Sequence, residues 1–159
     1  MENKRPAPVH YKRARFATHL PADYLYSPSH FWIGPQAEAG IWRVGMTKFA
    51  SRMFGEVVDH GFSVESGVAV ASGQIIGWIE GFKAISDLFC IAEGEFVAVN
   101  PALKTDPSLI GKDPYLGGWL YAVKGKPDAK CVDVQGYSQL LDKTIDRILE
   151  KQKEEGNDE

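Results

Sequence analysis

The sequence predicts a mainly β fold, a flattened β-sandwich or barrel with short helices and a C-terminal helix. Three observations predict it. Two apolar runs of strand length, Gln74 to Ile79 and Leu88 to Ala92, flank a short connection at Gly81, which is the pattern of a hairpin. Short, turn-bounded strands stand on both sides of it, Val68-Ala69-Val70 before and Glu95-Phe96-Val97-Ala98-Val99-Asn100 after the turn residue Gly94, so the hairpin belongs to a larger sheet structure. Sixteen glycines and nine prolines punctuate the chain, dividing it into turns and short elements in place of long helices.

Taken in order, residues 1–25 form an N-terminal extension with little apolar periodicity. Its basic residues are Lys4, Arg5, Lys12, Arg13 and Arg15, and Pro6, Pro8 and Pro21 forbid a continuous helix. Such a segment is either a mobile or surface-laid extension or a docking arm for an acidic partner. A single domain is expected over residues 26–149, opening with Tyr26-Ser27-Pro28-Ser29-His30-Phe31-Trp32-Ile33. After the Gly34–Gly40 turn, Ile41 to Gly45 reads as the returning strand of a hairpin. Thr47 is placed to cap a helix carrying Phe49, Ala50, Met53 and Phe54 at helical spacing, with Gly55 just past its end. Val57-Val58 opens the next strand.

Gly81 is the residue of the central connection that reaches positive φ at no steric cost, so a tight turn is expected there with Lys83 in solvent at its tip. Beyond the hairpin, Asp106 and Pro107 suit the cap and first position of a one-turn helix over Ser108-Leu109-Ile110. Tyr121-Ala122-Val123 makes a last strand, and Tyr137, Leu141, Ile145 and Ile148 share one face of a C-terminal helix. Residues 150–159 are highly charged and are expected to fray.

Composition narrows the function classes. A net charge of −3 argues against a general nucleic-acid binder. No apolar run approaches a membrane span, and no signal-peptide core follows the charged start. Two cysteines, Cys90 and Cys131, cannot build a disulfide scaffold, which favours a reducing cytoplasmic setting. Histidines and cysteines show no metal-ligand spacing. A hydrolase would need Cys90 with His60 or His30, but Cys90 lies in an apolar strand pattern that suits an inert buried thiol. Trp32, Trp42 and Trp119 could stack bases on a small nucleic-acid-binding β-barrel. The basic residues, however, cluster in the N-terminal arm, away from them.

One lysine stands apart. Lys83 follows Glu80 by three residues and precedes Ala84 and Ser86-Asp87. With Val44-Gly45-Met46-Thr47, Phe49-Ala50, Phe54-Gly55-Glu56-Val57-Val58, Asp113-Pro114-Tyr115 and Gly117-Gly118-Trp119, this surround resembles the glycine cleavage system H-protein family over residues 26 to about 147. The resemblance implies a lipoyl-carrier fold of biotinyl/lipoyl type and a non-catalytic carrier. Lipoic acid would be amide-linked to Lys83, with Glu80 and Asp87 assisting the modifying enzyme and the docking of the arm. It also implies that Ser29, His30 and Phe31 stand where the family's Ser-His-Glu-Trp motif lines the cleft of the loaded arm. Implied partners are a lipoate ligase or lipoyl-assembly enzymes and the P, T and L proteins of glycine cleavage.

The chain departs from the family where Phe31 replaces the motif's glutamate, where Gly81-Phe82 replace Ser-Val, and where Leu116 replaces a glycine. At an exposed site a phenyl ring offers an amine only a weak cation–π contact of about 0.5–1 kcal/mol. On that ground the sequence favours a paralogue similar to the lipoate-binding proteins of sulfur oxidation. Such a protein would carry sulfur for a heterodisulfide-reductase-like complex, with aminomethyl carriage as the alternative.

Overall fold

The computed structural model describes residues 5–157. Lys4, one of the basic residues of the expected docking arm, lies outside that range. The chain forms a six-stranded sheet, a three-stranded sheet and a separate hairpin. The larger sheet runs β3 (Leu25–Tyr26), β4 (Phe31–Pro35), β5 (Ile41–Met46), β11 (Tyr121–Pro127), β10 (Ala92–Val99), β7 (Ala69–Val70). The smaller runs β6 (Val57–Phe62), β8 (Ile75–Gly81), β9 (Ile85–Phe89), all antiparallel. Ile33, Val44, Ile76, Ile79, Leu88, Phe96 and Val123 belong to one buried cluster that draws on both sheets. This is the β-sandwich the short strands predict.

A second buried cluster, separate from the first, joins β4 and the two ends of the chain. Trp32, Tyr26 and Leu20 meet Tyr137, Leu141 and Ile145 of α3 (Val134–Asn157), and Tyr26 stacks on Tyr137 at 4.7 Å. Adjacent residues of β4 therefore serve different cores. Phe31 and Ile33 belong to the sandwich, and Trp32 to the helix side, as the two-residue period of a strand requires.

The N-terminal segment is laid on this second core, and it is folded. β1 (Val9–Arg13) and β2 (Phe16–Leu20) pair antiparallel, burying Tyr11, Phe16 and Leu20. Arg13 pairs with Asp146 at 2.8 Å and Asp142 at 3.3 Å, so one acidic partner of the basic segment is the chain's own helix. That helix continues past residue 149 to Asn157, where fraying was expected. Lys, Gln and Glu are good helix formers, which sustains it without a core contact.

α1 (Lys48–Phe54) has the expected boundaries. Thr47 accepts the Ala50 N–H, and Gly55 takes φ 74° and donates its N–H to Ser51. Three local expectations are corrected. Gly94 is no turn; it lies inside β10 opposite Gly125, where the missing side chains let the two strands approach closely. Pro107 does not open a helix. A 3₁₀ turn spans Pro101–Lys104 under an Asn100 cap, and α2 is Leu109–Lys112. Asn100, whose amide also holds the carbonyls of Gly117 and Trp119, makes the earlier turn the anchored one. In β8 the inward residues are Ile76 and Ile79, and Trp78 faces outward across Gly61, because a bulge between Ile75 and Gly77 resets the alternation. On α3, Ile148 is exposed and does not continue the buried face.

Candidate functional site

Strands β8 and β9 are joined through Gly81-Phe82-Lys83-Ala84, closed by the Gly81 N–H donating to Ala84 at 2.8 Å. Lys83 is exposed at this tip. The tip is docked on the end of α1. The Lys83 N–H donates to the Phe54 carbonyl at 2.9 Å, and the Phe82 N–H to that of Glu56 at 3.1 Å. The lysine stem crosses Gly55, where a Cβ would stand 3.2 Å from Lys83 Cγ. Its Nζ donates to the Arg52 carbonyl at 3.4 Å, a long bond that holds the amine loosely.

Gly81 is needed here for a reason other than the one the sequence suggests. It is not among the glycines with positive φ. A Cβ on it would run into the Phe54 carbonyl, with Phe54 Cβ at 3.1 Å, so the requirement is close approach of two backbones. The position fits an acylated lysine. The backbone of the tip is fixed by three hydrogen bonds, one of them from Lys83 itself, and the lysine side chain is solvent-exposed, so an amide-linked group could extend outward without disturbing the fold.

The other candidate residues divide. Glu80 is half-buried on β8 opposite Ile85, and Asp87 is exposed on β9 opposite Trp78. Both flank the tip at strand positions. Ser29, His30 and Phe31 do not form one wall. Ser29 is exposed and shares a 2.8 Å hydrogen bond with Ser27. His30 adopts φ 72° and turns to the helix side, its Nδ1 2.9 Å from the Tyr137 hydroxyl and its ring 4.7 Å from Phe49. Phe31 packs against the sandwich core. None of the three lines the 470 Å³ cleft beside Lys83.

That cleft contains residues the sequence reading missed. Lys48 and Arg52 of α1 and Lys112 of α2 line it with Lys83, together with one carboxylate, Glu56. Lys48 Nζ donates to the Gly111 carbonyl at 3.2 Å. The nearest sequence signal was the helical spacing of Lys48 and Arg52; nothing local tied Lys112 to them.

The hydrolase reading finds no dyad. Cys90 is in the sandwich core with its Sγ donating to Ala92, and burial pushes its thiol up. His30 belongs to the helix side, and His60 lies half-buried on β6. The tryptophans are anchors. Trp32 is buried and donates to Pro114, Trp42 donates to Gly125, and Arg43 covers Trp119 at 4.3 Å. Among the described residues no helix is long and apolar enough to cross a membrane.

Burial pushes the His30 imidazole down to about 4. A histidine of this kind is neutral when folded and takes a proton near pH 6.5 when unfolded. Its contribution to stability is therefore complete above about pH 6.5 and is lost as pH falls toward 4. The expected loss is roughly 2–3 kcal/mol between pH 7 and 4. Denaturant titrations at both pH values measure it. His30→Asn, which tolerates the left-handed backbone, should show a smaller pH dependence; an unchanged one would refute the assignment.

A family model described as "Glycine cleavage H-protein" matches residues 24–146. The chain is similar to the glycine cleavage system H protein of Kocuria rhizophila, 38% identical over 128 residues covering 79% of this chain and 99% of that one. The H protein of Corynebacterium jeikeium is likewise 38% identical over 122 residues, covering 76% and 95%. The crystal structure of a glycine cleavage system H protein from Mycobacterium marinum superposes with a TM-score of 0.67 at 35% identity, covering 76% of this chain and 97% of that chain. The hairpin β1–β2 and the end of α3 lie outside the matched residues.

Proposed function

The chain belongs to the glycine cleavage H-protein family, a family of non-catalytic lipoyl carriers, and from that premise we propose that it carries aminomethyl groups on lipoic acid attached to Lys83. The observation that carries the reading is the docked hairpin tip, whose backbone is tied to Phe54 and Glu56 while the lysine side chain stays exposed. An amide on Nζ removes the ammonium charge. The group so attached supplies two sulfurs that alternate between disulfide and dithiol and hold cargo as a thio-adduct. The chain's own residues do the positioning: Gly55 and Gly81 let the tip sit on α1, and Glu80 and Asp87 present carboxylates beside it.

The modifying partner is a lipoate ligase or lipoyl-assembly system, and the client enzymes are the P, T and L proteins. The free thiols of Cys90 and Cys131 suit a reducing compartment, and we assign the carrier to the cytoplasm. The sulfur-carrier reading, favoured from sequence, rested on Phe31 as a wall of the cargo cleft. Phe31 packs against the sandwich core and does not line the cleft beside Lys83. The names of the relatives favour glycine cleavage.

Lipoylated protein given to glycine decarboxylase and aminomethyltransferase should sustain glycine turnover. Phe31→Glu should leave turnover no higher and should cost about 1–3 kcal/mol of stability, since it sets a carboxylate against apolar neighbours. Absent turnover, with sulfur loading from a persulfide donor and a heterodisulfide-reductase-like complex, would reinstate the sulfur reading.

A further inference from the structure

We propose that the cleft beside Lys83 binds a phosphate-class oxyanion, and that acylation of Lys83 weakens this binding. The second half rests on the reading of Lys83 as the modified lysine; the first concerns the unmodified chain alone. Three segments distant in sequence, α1, the hairpin tip and α2, bring Lys48, Arg52, Lys83 and Lys112 to one cleft with the single carboxylate of Glu56. No ion pair joins Glu56 to any of them among the described residues. Two of the ammonium groups donate to backbone carbonyls, Lys48 to Gly111 at 3.2 Å and Lys83, loosely, to Arg52 at 3.4 Å. A carbonyl accepts one N–H and carries no full charge, so each ammonium keeps two donors and its positive charge.

Four like charges around one cleft repel one another, and an anion among them relieves that repulsion. The donors come from three segments, and so from several directions. A tetrahedral phosphate, with acceptor oxygens on every side and a double charge, meets more of them than a planar carboxylate can. Amide formation on Lys83 would remove one charge and one donor group from the set. The cleft would then distinguish the unmodified chain from the modified one.

The test is a titration of the full, unmodified ¹⁵N-labelled chain at low ionic strength, where such attraction is least screened. One arm uses inorganic phosphate and another adenosine monophosphate, with chloride as control. Saturable shifts should centre on the amides of Lys48, Arg52, Lys83 and Lys112. Lys112→Ala and Lys83→Gln should each weaken binding about two- to fivefold, and lipoylated chain should match Lys83→Gln. Lys126→Ala, on β11, should change nothing. Tighter binding of the nucleotide identifies a nucleotide phosphate as the ligand, and equal binding identifies the phosphate group alone; either supports the site. Non-saturating shifts spread over all surface lysines would overturn it, as would undiminished affinity in Lys83→Gln and Lys112→Ala. If the chain never accepts lipoate, intact mass reveals that separately, while phosphate binding by the unmodified cleft is unaffected.

Discussion

Lys83→Arg should abolish lipoylation and leave the fold intact. A guanidinium stays protonated at any physiological pH and offers no free amine for an amide bond. Arginine still has the reach and positive charge to donate to the Arg52 carbonyl, the contact Lys83 makes at 3.4 Å, and its backbone N–H still reaches Phe54. The side chain is exposed, so stability should change by less than about 0.5 kcal/mol. Intact mass of wild-type protein from a lipoate-competent host should show the lipoyl increment, and the variant should show none. Persistence of the increment in Lys83→Arg would move the attachment site elsewhere and remove the carrier function assigned to the tip.

Gly81→Ala should produce the largest structural effect of a single methyl group in this chain's site. The new Cβ meets the Phe54 carbonyl oxygen and carbon and Phe54 Cβ together, and two of the three are backbone atoms that no rotamer change can move. Either the tip lifts from α1, losing the Lys83 and Phe82 hydrogen bonds to Phe54 and Glu56, or the end of α1 shifts. The expected cost is about 2–3 kcal/mol, as for other overpacked sites. Lipoylation should slow as well, because the lysine is no longer held over Gly55. Gly156→Ala, on the exposed end of α3 with nothing near its Cβ, is the control and should be neutral or stabilising. Wild-type stability and modification rate in Gly81→Ala would show that the tip is not docked as described.

The elements that were legible in the sequence are those whose signals are local. Thr47 and Gly55 mark both ends of α1 because a cap and a left-handed exit are made by the residues themselves. The hairpin of β8 and β9 was legible from two apolar runs around a short connection, and so was Lys83 at its tip. Membership of the H-protein family was legible in several separated motifs, which the matched span 24–146 agrees with.

The sequence by itself thus determined the sandwich, the caps of α1 and the lysine that the hairpin presents. Tertiary structure decided the rest. β1 and β2 fold because Tyr11, Phe16 and Leu20 find Tyr137, Leu141 and Ile145 more than 110 residues away, a partner no local window contains. His30 and Phe31 share a motif in the sequence yet belong to different cores, because the strand begins between them and alternation sends successive side chains apart. Gly81 is needed for its contact with Phe54, and that contact exists only once the hairpin docks on α1. The cationic cleft is of the same kind. Lys48, Lys83 and Lys112 are ordinary solvated charges along the chain, and only the packing of α1, α2 and the hairpin tip brings them to one cleft.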